Sequence, residues 1–68
     1  MKFSELEQKI IKSWEILSGG KIIEDLENER VYYFIGTRKL TWTITNDKQK
    51  AEFIRVIKTE IREALNRG

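Results

Sequence analysis

Chemistry in this sequence has to be done without histidine and without cysteine, because its 68 residues contain neither. That removes the most frequent general base and the most readily activated nucleophile. It also removes disulfides and the usual zinc, haem and iron–sulfur ligand sets, so no cofactor and no metal are expected. The serines are Ser4, Ser13 and Ser18. Ser4 is better explained as a helix cap: in Ser4-Glu5-Leu6-Glu7 its hydroxyl and the Glu7 carboxylate can satisfy the free N–H groups of a first turn. Gly19-Gly20 lacks the Lys-Ser/Thr that follows the glycines of a phosphate-binding loop. One acidic cluster, Glu24, Asp25, Glu27 and Glu29, is the sole candidate for a metal or acid–base site. Strand alternation sends Glu24 and Asp25 to opposite faces and leaves the other two at a turn, which describes a solvated hairpin and not an ion cage. Glu24 is placed near Tyr33 on the helix side of the sheet, its neighbour unresolved. The residue types therefore favour binding without catalysis.

Two groups could bind a partner. The segment Val31-Tyr32-Tyr33-Phe34-Ile35 is apolar or aromatic at every position, whereas Leu40, Trp42 and Ile44 alternate with Thr41, Thr43 and Thr45. One strand is thus apolar on both faces and its neighbour on one. Ile23, Tyr32 and Phe34 fall on the face away from any helix, with Thr41, Thr43 and Thr45 beside them. Such a patch suits association with another protein chain, either a second copy or a larger target. Sheet aromatics can also stack on nucleic-acid bases. The second group is Lys48, Arg55, Lys58 and Arg62, which share one flank of the last helix opposite Glu52, Glu60 and Glu63. This basic stripe could follow a phosphate backbone or an acidic protein surface. The plainer reading is a solvated helix face supported by pairs such as Lys48–Glu52 and Glu63–Arg67.

The elements that must position these residues are legible. Residues 4–18 carry a helical apolar stripe of Phe3, Leu6, Ile10, Trp14 and Leu17, ended by Gly19-Gly20. Strands are expected over 21–27, 30–36 and 39–45. The first turn, Glu27-Asn28-Glu29-Arg30, has Asn28 as its residue tolerant of positive φ. With Thr37-Arg38 at the centre of the second turn, Ile35 pairs with Leu40, Tyr33 with Trp42 and Val31 with Ile44, all beneath the helices along with Ile22 and Leu26. Trp14 and Trp42 are read as core aromatics whose indole N–H groups reach the periphery. Residues 47–66 form the last helix, with Asn46 as N-cap and a core stripe of Phe53, Ile54, Ile57, Ile61, Ala64 and Leu65. The expected fold is a single α+β domain over residues 1–68. Its order is α-β-β-β-α, a three-stranded antiparallel meander with two helices on one face.

Thirteen Lys and Arg against eleven Asp and Glu give a net charge of +2, too balanced to indicate nucleic acid by charge alone. No apolar run reaches the roughly 18 residues of a membrane span, so a soluble, cytoplasmic protein without membrane contact is expected. A domain of this size buries only about 60% of its unfolded surface, and a second subunit would add burial. The element order and length resemble the double-stranded-RNA-binding domain, and Asp47-Lys48-Gln49-Lys50-Ala51-Glu52 is similar to the Lys-rich start of that family's last helix. The resemblance extends over element order alone. Glu52 puts a negative charge where phosphate would sit, and the loop at Glu27-Asn28-Glu29 is acidic where that family contacts RNA, so no binding residue is carried over. The expected function is a small non-catalytic regulator or inhibitor that binds protein through its open sheet face, as a homodimer or on a larger target. The alternative is a nucleic-acid-binding module using Lys48, Arg55, Lys58 and Arg62.

Overall fold

The computed structural model describes residues 2–67. Helix α1 (Glu5–Ser18) is followed by strands β1 (Lys21–Asp25), β2 (Arg30–Ile35) and β3 (Arg38–Thr43), and then by helix α2 (Asp47–Arg67). A short 3₁₀ turn, Leu26–Asn28, joins β1 to β2. The strands pair antiparallel in the order β1-β2-β3, so the strand that is apolar on both faces is the central one. The α+β class and the α-β-β-β-α order are as expected.

Local chemistry sets the helix ends. The Ser4 hydroxyl accepts from the Glu7 N–H at 3.1 Å, while the Glu7 carboxylate accepts from the Ser4 N–H at 2.8 Å. Asn46 accepts from the Gln49 N–H at 2.9 Å, and the Gln49 side chain reaches back to the Thr45 N–H. The two glycines after α1 have different tasks. Gly19 takes the left-handed conformation (φ 73°) that closes the helix. Gly20 sits where a Cβ would come within 2.5 Å of both the Phe34 carbonyl oxygen and the Trp14 ring, so only glycine lets the chain pass.

The turns differ from the sequence reading. Gly36-Thr37, not Thr37-Arg38, forms the tip of the second hairpin. Gly36 has φ 57°, as a tight hairpin with glycine first requires. Ile35 therefore faces Arg38, Tyr33 faces Leu40 and Val31 faces Trp42. The register has moved by two residues, which preserves every side chain's face. In the first turn the positive φ falls on Glu29 (59°) and not on Asn28, whose amide is held by the Asp25 carboxylate at 3.1 Å.

The core lies between the sheet and the helices: Phe3, Ile11 and Trp14 from α1 and its approach, Ile22, Val31, Tyr33 and Ile44 from the sheet side, and Phe53, Ile54 and Ile57 from α2. Phe53 takes the ring of Phe3 on one side and the edge of Trp42 on another, at 6.0 and 5.4 Å between centroids. The helices run side by side in the same sense, since Phe3 meets Phe53 at one end while Trp14 meets Glu60 further along. The stripe of α1 is rotated from the expected one. Ile11 is buried, whereas Leu6 is 68% and Leu17 44% exposed. Leu65 is likewise exposed near the end of α2, and Leu40 is uncovered on the edge strand β3. Extents of 35 × 26 × 16 Å leave the short axis room for two layers, and among the described residues no helix lies over the second face of the sheet.

Candidate functional site

The uncovered face of the sheet is built from three cross-strand rows. Ile23, Tyr32 and Thr41 make the central row; Lys21, Phe34 and Lys39 lie on one side of it, Asp25, Arg30 and Thr43 on the other. Ile23, Tyr32 and Phe34 are thus adjacent, as expected, and Thr41 and Thr43 share their face. Thr45 lies beyond β3, where its hydroxyl bonds Gln49 at 2.8 Å. Ile23 is 42% exposed, while the two rings on the central strand are half-buried. From the flanking strand β3, the Lys39 ammonium stands 4.8 Å from the centre of the Tyr32 ring. The cationic border of Lys21, Arg30 and Lys39, against the single acid Asp25, was missing from the sequence reading. Strand parity alone carried the signal for it, because these residues alternate in step with Tyr32 and Phe34.

The basic flank is also in place. Lys48, Arg55, Lys58 and Arg62 are all exposed on α2, and among the described residues none of them forms an ion pair. The expected supports Lys48–Glu52 and Glu63–Arg67 do not form. The ion-paired lysine is Lys50, which binds Glu7 at 3.4 Å and the Lys2 carbonyl at 3.0 Å, tying the start of α2 to the start of α1. At Glu7, burial raises the carboxyl, but the Ser4 N–H and the Lys50 ammonium outweigh it and hold the group below its ordinary value.

A third cluster was not anticipated. Glu60 of α2 points at the sheet, and one of its oxygens accepts from the Tyr33 hydroxyl and from the Trp14 indole N–H at 3.3 Å. Trp14 is buried, and its ring lies 4.6 Å from that of Tyr33. Burial, then the Glu60 carboxylate, push the Tyr33 phenol far above its ordinary value, so it stays a neutral donor. Tyr33 therefore partners Glu60, and Glu24, which sequence alone left unresolved near Tyr33, faces Val31 on the helix side of the sheet. Burial and the Glu15 carboxylate raise the Glu24 carboxyl. Glu15 itself accepts from the Ile22 N–H at 2.9 Å, closing part of the free edge of β1.

Among the described residues, no group of three or more acidic side chains is placed to hold a metal ion. None of the described helices is long and apolar enough to cross a membrane. Compared with known proteins, the chain matches no family model, no curated protein and no solved structure.

Proposed function

We propose that this is a non-catalytic binding protein of the regulator or inhibitor type, which associates with another protein chain through the open face of its sheet. One observation carries the reading. Ile23, Tyr32 and Phe34 form a continuous apolar strip on the one sheet face that no helix covers. The strip has an aromatic centre and a charged border, the composition of a protein-binding patch. Thr41 and Thr43 supply hydroxyls at its margin, and the partner is a second copy or a larger target.

Light scattering of the wild type, followed by a pull-down if the mass is that of one chain, tests this directly. Tyr32→Glu or Phe34→Glu should abolish association and leave the circular dichroism of the fold intact. A monomer that retrieves no protein partner counts against the reading. The second reading, nucleic-acid binding through Lys48, Arg55, Lys58 and Arg62, is favoured by one feature: these four cations are exposed and unpaired among the described residues. It requires affinity that falls steeply with salt, with a shallower slope in an Arg55→Ala, Lys58→Ala double variant. No mobility shift with any nucleic acid at low salt removes it.

A further inference from the structure

The same cations border something a phosphate backbone has no use for. Between α1 and α2, on the side away from the sheet, runs an open groove of about 450 Å³. Its floor is Leu6, Ile10, Ala51 and Ile54, and its α2 wall is Arg55 and Lys58. Leu6 is 68% exposed beside the half-buried Ile10, so the α1 side of the groove presents apolar surface. Two short rows line the groove. Leu6 and Ile10 lie one turn apart on α1, and Ala51, Arg55 and Lys58 repeat along α2 at four and three. The α2 row is about 10 Å long at the helical rise per residue, or two turns. The carboxylate at the groove's upper end, Glu7, already accepts from the Ser4 N–H and pairs with Lys50, so it forms no ion pair with Arg55 or Lys58.

We infer that this groove receives an acidic amphipathic helix from a partner protein, laid along the seam with its apolar residues on Leu6 and Ile10 and its carboxylates against Arg55 and Lys58. A helix fits because the two rows run side by side at one-turn intervals, so residues at i, i+4 and i+7 of an incoming helix meet both. An acidic one fits because the α2 wall carries unpaired positive charge and the α1 wall is apolar, which fixes the incoming helix's rotation about its axis. Nucleic acid satisfies the cations and leaves the leucine side unused. This surface is separate from the sheet face, on the opposite side of the molecule.

The test uses a fluorescein-labelled helical peptide with Leu at i, i+4 and i+7 and Glu beside them, followed by anisotropy against the whole chain. Comparison probes are the same peptide with Ser for Leu and a short DNA duplex. Saturable binding is expected for the Leu peptide, weakened about tenfold or more by Leu6→Glu and equally by the Arg55→Glu, Lys58→Glu pair. Leu6→Gln, which keeps the charge, should weaken it too, and Tyr32→Glu should leave it unchanged. Failure of the Leu peptide to saturate at roughly millimolar concentration overturns the inference. So does equal binding of the Ser peptide or the duplex that depends on Arg55 and Lys58 but not on Leu6, which would mark a general polyanion surface. Because Tyr32 and Leu6 lie on opposite faces, loss of sheet-face association and loss of groove binding are distinguishable.

Discussion

At the scale of single residues, the most consequential side chain is one whose role does not follow from its own identity. Glu60 is a carboxylate on an amphipathic helix, and the helical wheel assigns it to a solvated flank. Its value comes from the two donors it meets, the Tyr33 hydroxyl and the Trp14 indole N–H. Glu60→Ala should leave both without a partner in the core and destabilise the fold by about 1–3 kcal/mol. Glu60→Gln keeps an acceptor and should recover part of the loss, as urea denaturation followed by tryptophan fluorescence would read. Glu24 offers the opposite case. Its carboxyl is raised by burial and by Glu15, so ionisation opposes folding. The penalty is absent below the ordinary value of 4.5 and full once the pH exceeds the raised folded value. Glu24→Gln should therefore raise the thermal midpoint at pH 7 and leave it unchanged in acid. A midpoint that rises equally at both pH values would contradict this.

At the scale of elements, the connections decide more than the strands do. The chain leaves α1 through Gly19 and must at once pass under Trp14 and against the Phe34 carbonyl, which Gly20 alone permits. Gly20→Ala should cost about 1–3 kcal/mol, because the crowded atoms are a buried ring and a backbone oxygen that cannot move aside freely. A denaturation midpoint within error of the wild type would show that β1 can shift outward instead. The second connection explains how the hairpin register escaped the sequence. Placing the turn at Thr37-Arg38 or at Gly36-Thr37 changes every cross-strand partner but no side chain's face. The open-face patch was therefore readable while its neighbours were not.

At the scale of the whole molecule, two layers leave two surfaces uncovered, and they differ in character. The sheet face is aromatic at its centre with cations around it. Three strands about 4.8 Å apart and five to six residues long make it smaller than the roughly 800 Å² per partner of a standard interface, so a stable complex must also draw on residues outside the sheet. A homodimer joined through this face should dissociate more readily in the Lys39→Glu variant, since the cation beside Tyr32 would become a buried acid; sedimentation velocity would read the change. The helix face is a seam with an apolar wall and a basic one. Separate partners on these two faces would let one small chain bridge two proteins, whereas an isolated sheet-face interaction would leave the exposed Leu6 and the unpaired Arg55 unused.

The order of the elements, the caps at Ser4 and Asn46, the helix stop at Gly19 and the division of strand residues between two faces were all determined by sequence alone. Each rests on a local period or a local hydrogen bond, which the chain carries wherever it folds. Tertiary structure decided the hairpin register, the rotation of α1 that buries Ile11 and leaves Leu6 exposed, the pairing of Lys50 with Glu7, and the convergence of Tyr33, Trp14 and Glu60. Those are relations between elements. A sequence with apolar residues at Leu6, Ile10, Ile11, Trp14, Ile16 and Leu17 offers several acceptable faces to a core, and only packing against the sheet and α2 selects among them.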